Sequence, residues 1–335
     1  MADGKAGGED ELIATTFAPL AEGFPGALGL KDDCAILVPP PGEDLVLTTD
    51  AVAAGVHFLP ADGPADIAWK ALAVNVSDLA AKGARPIAYL LSLSLPERPQ
   101  GAWLDDLARG LAEAQEAFGI ALAGGDTDQR PGPLSLTVTA IGSVPQGRMV
   151  QRATGQAGDL LFVSGTLGDS ALGLRLRQEP ARAAELGLAD ADVRALVGRY
   201  LRPEPRLALG PHLLEFATAA MDVSDGLAKD CGRMARASGT GAVIQAERIP
   251  LSAPFRAALK GEPGLLELPL AGGDDYEVLA AVPPQRAAEF QAAAAASGVA
   301  VAEIGRLTDG ADLVILGTDG RPMPMAATGW DHFPL

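Results

Sequence analysis

The chain is 335 residues long and carries 26 Lys and Arg against 43 Asp and Glu, a formal net charge of −17. That length exceeds one usual compact domain, and an apolar fraction of 48% argues against disorder. The negative charge repels nucleic-acid backbones and anionic membrane surfaces, so neither is expected as a partner, and it repels ATP too unless local cations reverse the field.

The first residues, Met1 to Glu11, are Gly-rich and acidic and read as a loose tip. No basic-then-apolar start and no run of about 18 apolar residues appears, so a cytoplasmic location is expected. Cys34 and Cys231 stand far apart and read as reduced thiols packed as small apolar groups rather than as a disulfide or zinc site. In the first half, Ala35–Val38, Leu45–Thr49, Ile87–Leu95 and Leu134–Val144 read as strands from β-branched content and period-two alternation. A helix from Asp66 to Lys82 puts Trp69, Leu72, Ala73, Val76, Leu79 and Ala80 on a wide apolar face and stops at Gly83. A second, from Trp103 to Phe118, ends at Gly119.

Pattern lapses between Gln146 and Gly158, which divides the chain near residue 148 into domains 1–148 and 149–335. The second half alternates: strand Leu160–Ser164, helix from Ser170, strand at Ala219–Met221, helix Leu227–Ser238, strands Ala242–Gln245 and Tyr276–Val282, then shorter strands. This is a mixed α/β chain. The alanine-rich run Gln285–Ser297 reads as a surface helix anchored by Phe290. Gly165 to Ser170 looks like a phosphate loop without its lysine, and Asp169 or Ser170 there suits a helix N-cap.

The sequence lacks G-x-x-x-x-G-K-[ST], a strand leading into G-x-G-x-x-G, and the H-R-D and D-F-G kinase signatures. In their place stand carboxylates at element ends: Asp32-Asp33, Thr48-Thr49-Asp50, Asp78, Gly124-Gly125-Asp126-Thr127, Asp222-Val223-Ser224-Asp225-Gly226 and Gly272-Gly273-Asp274-Asp275. Each alone is also what a turn or helix N-cap uses. Asp78 is different, because it sits inside an apolar helix with no cap to make, on a stripe with Ala71, Asn75 and Lys82. Two such carboxylates ~4 Å apart repel by roughly 4 kcal/mol at an effective dielectric near 20, so convergence requires cations. Hard oxygen donors without a Cys or His set select Mg2+, which bridges carboxylates to phosphate oxygens.

At nearly full length these residues resemble the thiamine-monophosphate kinase family of the aminoimidazole-ribonucleotide-synthetase-like superfamily. The resemblance rests on Thr48-Thr-Asp50 running to Gly55-Val-His57-Phe58, on Trp69 through Asn75 to Asp78-Leu-Ala-Ala, on Gly124-Gly-Asp-Thr127, on Met221-Asp-Val-Ser-Asp-Gly226 and on Gly272-Gly-Asp-Asp-Tyr-Glu277. It implies an N-terminal mixed sheet with helices on one face, which binds ATP and Mg2+ and dimerises, and a C-terminal α/β domain that completes the active site. It implies several Mg2+ ions on Asp33, Thr48, Thr49, Asp50, Asp78, Asp126, Asp222 and Asp225. ATP contacts are implied at Gly125, Asp126, Arg152 and Ser224, contacts to thiamine monophosphate at His57, Asp274 and Trp330, and a homodimer. The reaction implied is γ-phosphoryl transfer from ATP to thiamine monophosphate, with no general base.

The family has glycine before the Asp pair where this chain has Lys31. Lysine does not enter positive-φ backbone as glycine does. His57 between Val56 and Phe58 also reads as a packed histidine, and Trp330 as an anchor for the tail. Two superfamily rivals, selenophosphate synthetase and the carbamoyl-dehydrating hydrogenase maturation protein, call for functional cysteines this chain lacks: its end reads Asp331-His-Phe-Pro-Leu335. A noncatalytic nucleotide- or cation-binding module is the reading from another class.

Overall fold

The computed structural model describes residues 8–99, 101–317, 319–323 and 329–330. Residues 1–7 of the N-terminal tip lie outside them, and a short helix begins at Glu9. The chain forms two compact units. One holds the chain up to Leu79 with Arg85–Gly147; the other holds Ala80–Ala84 with the chain from Arg148 on.

The first unit is built on a mixed four-stranded sheet in the order β1-β4-β2-β3, from β1 (Glu43–Ala53), β2 (Arg85–Leu95), β3 (Ala121–Gln129) and β4 (Ser135–Pro145). Only β2 and β3 run parallel. Thr48, Ala140 and Tyr89 face one another across β1, β4 and β2. From that row Thr48 reaches Asp78 of the Pro64–Ala81 helix, and Tyr89 donates to Gln115 of the Gly101–Phe118 helix at 2.8 Å. Both helices therefore cover one face. They cross at Gly110, where a Cβ would collide with the backbone of Ala65. The first helix is buried nearly all round, Lys70, Asn75 and Ser77 included, beyond the single apolar face its periodicity suggested. Gly83 and Gly119 follow the two helices with φ of 71° and 65°, the left-handed turn that ends a helix. On the opposite sheet face Leu47 is 62% and Leu90 40% exposed.

The expected strand at Ala35–Val38 does not form. The segment has no strand partner, and Ile36 and Val38 are exposed. Its apolar alternation had no adjoining strand to pair with, because Pro39, Pro40 and Pro41 follow at once and cannot donate to a ladder. Cys34, on this segment, is exposed rather than packed; Cys231 is buried as expected.

The second unit carries a six-stranded mixed sheet in the order β10-β7-β9-β5-β8-β6, with β5 (Leu160–Ser164), β6 (Ala219–Val223), β7 (Gly241–Gln245), β8 (Glu277–Val282), β9 (Val301–Thr308) and β10 (Leu313–Leu316). Its strands alternate between two cores. Leu161, Met221 and Leu279 pack with Leu227, Cys231 and Met234 of the Leu227–Ser238 helix. Phe162, Ala220 and Val278 pack on the other side with Phe216 and Phe290. Phe290 of the Ala287–Ala296 helix meets Phe162 edge-on at 5.4 Å, and with the buried Ala287 and Ala294 beside it seats this alanine-rich helix on the sheet. Among the described residues no helix is long and apolar enough to cross a membrane.

Candidate active site

In the first unit the Thr48 hydroxyl donates to Asp78 Oδ2 at 2.5 Å, joining the strand segment to the interior helix carboxylate. One turn earlier, Asn75 is fully buried. Its Oδ1 accepts the Asp50 N–H at 2.8 Å, and its amide nitrogen donates to Ala71 O at 3.0 Å and to Asp50 O at 3.5 Å. Since β1 is an edge strand, Asn75 stands where a neighbouring strand would and fixes the backbone of Asp50. Sequence reasoning placed Asn75 on the Asp78 stripe without giving it a role.

Register separates the other candidates. Successive residues of a strand point to opposite faces, so Thr49 leaves the sheet opposite Thr48, donating to Val138 O and accepting from the Thr139 hydroxyl. Asp126 pairs with Ser92, Ser92 with Thr137 and Thr137 with Ala51, the row next to that of Asp50. Asp126 therefore projects from the same face as Thr49. Gly125 sits tight against Leu91, where a Cβ would meet its carbonyl. Beside these residues a cavity of about 460 Å³ opens, lined by Thr127, Asp128 and Gln129 of β3 and by Gly101, Leu104 and Asp105.

Asp33 is exposed, and the preceding Lys31 has φ −108°, an ordinary value. The left-handed residues lie earlier, at Leu28, Gly29 and Leu30, so this loop does not need glycine at position 31. His57 accepts the Ala53 N–H on Nδ1 at 3.1 Å, which places the proton of its neutral ring on Nε2 and braces the turn after β1.

In the second unit Asp222 is buried in β6 opposite Val278. Asp225 pairs with Arg233 at 2.6 Å and Lys229 at 3.4 Å. Asp230, fully buried, accepts the N–H groups of Ser224 and Asp225 at 3.0 and 2.9 Å. Burial pushes its carboxyl above the ordinary aspartate value, and the Asp225 N–H and Arg233 pull it back. Asp230 lies in the first turn of its helix, where an acidic residue is ordinary, so the sequence carries no signal for it like the one that marks Asp78. Trp330 donates its N–H to Asp225 O at 2.9 Å and accepts Lys229 on its carbonyl, while its side chain is exposed. Arg152 is exposed, and its carbonyl accepts from Ser238.

The Gly272–Glu277 segment holds three left-handed residues, Gly273, Asp274 and Tyr276, with φ of 71°, 65° and 51°. For Asp274 and Tyr276 this costs about 1–2 kcal/mol each. Asp274 and Tyr276 donate their N–H groups to Ser224 O and Val223 O at 2.7 and 2.9 Å. Asp275 is buried and accepts the Gly168 N–H on Oδ1 at 2.9 Å; burial holds its carboxyl well above the usual aspartate range. Gly168 is the N-cap of the Asp169–Gln178 helix, so neither Asp169 nor Ser170 caps it. Asp169 instead accepts hydroxyl bonds from Thr166 and Ser252, each at 2.6 Å. A glycine with φ 87° begins the helix there because a Cβ would meet Phe255 and Pro269.

Among the described residues no group of three or more His, Cys, Asp or Glu side chains gathers closely enough to hold a metal ion. The donors on offer are carboxylates singly or in pairs with hydroxyls, all oxygen.

Two mixed α/β units carrying aspartate-rich loops define a chain of the AIR synthase-related class. Residues 31–144 match the family model of the AIR synthase related protein N-terminal domain, and residues 156–317 that of its C-terminal domain. Over 97% of its length the chain is 44% identical to the thiamine-monophosphate kinase of Caulobacter vibrioides, covering 90% of that protein. The crystal structure of thiamine-monophosphate kinase from Stenotrophomonas maltophilia K279a aligns with a TM-score of 0.79 and 42% identity, over 88% of this chain and 91% of that one. AaThiL complexed with AMPPCP and TMP aligns with a TM-score of 0.77 and 34% identity, over 90% and 91%. The chain belongs to the thiamine-monophosphate kinase family.

Proposed function

We propose that this chain transfers the γ-phosphoryl group of ATP to thiamine monophosphate, giving thiamine diphosphate and ADP. The observation that carries this is the near-full-length likeness to AaThiL complexed with AMPPCP and TMP, together with aspartate loops that resemble the family's apart from Lys31. A phosphate monoester is mostly doubly ionised at neutral pH, its second pKa lying near about 6, so its oxygen attacks phosphorus without a general base. In-line attack needs no covalent intermediate; the barrier is the approach of two anions, lowered by positioning and positive charge.

Mg2+ fits the donor set. It binds through one or two carboxylates plus substrate phosphates rather than through an all-protein cage, and the site offers hard oxygens in ones and twos. Several ions would be shared out among Asp33, Thr48, Thr49, Asp50, Asp78, Asp126, Asp222 and Asp225, with Thr48 and Asp78 serving a different ion from Thr49 and Asp126 because the two pairs leave opposite sheet faces. When bound they neutralise phosphate charge. Gly125, Asp126, Arg152 and Ser224 would contact ATP, and His57, Asp274 and Trp330 the acceptor. With its proton on Nε2, His57 offers a donor, and the exposed Trp330 ring a stacking surface for an aromatic substrate. Leu47 and Leu90 on the uncovered sheet face suit a homodimer contact. A cytoplasmic site of action fits a reaction that consumes ATP.

ADP release measured with ATP and Mg2+, in parallel with thiamine monophosphate, free thiamine and no acceptor, tests the reading. Release that depends on thiamine monophosphate is expected. Nucleotide binding without acceptor-dependent release would make the chain a binding module.

A further inference from the structure

The Gly165–Ser170 loop has the look of a phosphate loop, but the anions it holds are this chain's own. Asp275 Oδ1 takes the Gly168 N–H at 2.9 Å, and the Glu277 carboxylate fills the space beside Gly165 so closely that a Cβ there would collide with it. Glu277 is fully buried and receives four donors. Arg199 Nη2 and Arg206 Nη2 reach Oε1 at 2.7 and 2.5 Å, and Arg206 Nε and the Ser164 hydroxyl reach Oε2 at 2.7 and 2.6 Å. Arg199 Nη2 also points at the Asp275 carbonyl at 3.4 Å. Between these two carboxylates and the Val223-Ser224 backbone lies the run Gly273–Tyr276, left-handed at Gly273, Asp274 and Tyr276. Side chains do not hold such a backbone unless the surroundings over-determine it. Among the ties that hold it here are those on Asp275, Glu277 and the N–H groups of Asp274 and Tyr276.

We propose that Arg199, Arg206 and the Gly165–Ser170 loop form a clasp on Asp275 and Glu277 that keeps Asp274 in its left-handed conformation and thereby sets recognition of the phosphorylated acceptor. The clasp residues are positioning residues: they act through Asp274, and the inference rests on reading Asp274 as an acceptor contact. Internal carboxylates in an anion-binding loop also explain why the loop needs no lysine.

Wild type, Arg199→Lys, Asp274→Ala and the double variant are compared by steady-state kinetics with ATP and thiamine monophosphate, and by amide hydrogen exchange without substrate. Arg199→Lys keeps the charge but loses the planar guanidinium whose Nη2 reaches both Glu277 and the Asp275 carbonyl. It is expected to speed exchange at the Asp274 and Tyr276 amides while sparing β5 and β8. It should also raise KM for thiamine monophosphate by about fivefold or more, with KM for ATP within about twofold. In the Asp274→Ala background that increase should vanish, whereas a general loss of structure would multiply through. Unchanged exchange at Asp274 and Tyr276, or an undiminished effect in the double variant, overturns the clasp. An unaltered KM in Asp274→Ala alone sinks the acceptor-contact reading instead, and exchange then decides whether the clasp holds the loop. Should Arg199→Lys fail to fold, Arg206→Lys, which cannot reach both Glu277 oxygens as Arg206 Nε and Nη2 do, takes its place with the same expectations.

Discussion

The Thr48 hydroxyl lies 2.5 Å from Asp78 Oδ2, linking an edge strand to a helix interior through a bond neither element needs for its own backbone. Asn can still accept that hydroxyl, so Asp78→Asn should fold normally yet lose the charge a metal would require. Asp126→Asn, at an exposed strand position, should fold as well. Each is expected to lower kcat by about a hundredfold or more, with Tm within about 4 °C of wild type. Near-native turnover in either variant would remove that carboxylate from the metal set.

Asn75→Ala separates positioning from ligation. It strips the partner from the Asp50 N–H at an edge strand and leaves Asp50 itself in place. Losing the fully buried Asn75 amide with its bonds to Asp50 and Ala71 costs about 1–3 kcal/mol, measurable as a lower urea midpoint with an unchanged m-value. Activity should fall as well because the Asp50 backbone is released. A stable and fully active variant would mean that β1 holds its shape without Asn75.

The two thiols should differ in reactivity. Cys34 is exposed, whereas burial, with the neighbouring Asp230 adding to it, pushes the Cys231 thiol up to about 12. Iodoacetamide on the native protein is expected to label Cys34 alone, with Cys231 labelled only after unfolding. Labelling of Cys231 in the native state, read by mass spectrometry of peptides, would show that the Leu227–Ser238 helix opens readily.

Helix and strand periodicity made most of the second unit legible, because β5 and the Leu227–Ser238 helix each bury what their pattern presents. Ala35–Val38 misled for a physical reason: alternation predicts a strand only where a neighbour exists to pair with, and pairing is not local information. The aspartate loops could be found in the sequence, but their sorting could not. Thr48 and Thr49 are adjacent in sequence and opposite in space, and Asp126 joins the Thr49 side through a register set by three strand pairings. Glu277 stood in the quoted motif without a role, since nothing local shows that Arg199 and Arg206 converge on it from 78 and 71 residues away.

Asp275 gives the structure a pH signature. A carboxyl whose folded value lies above its unfolded one binds more protons folded than unfolded. Its burial therefore costs nothing well below the free value of 3.8, and the cost grows as pH rises from there toward the folded value. Asp169 and Glu277 facing it add to that cost, and Arg199 and the Gly168 N–H reduce it. Asp275→Asn keeps an oxygen for the Gly168 N–H and has no charge to bury. Across about pH 4 to 8, Tm of the variant relative to wild type should rise with pH, whatever the constant offset from the new amide nitrogen. Parallel Tm curves for the two proteins would mean that Asp275 is as easily ionised in the folded chain as in the unfolded one.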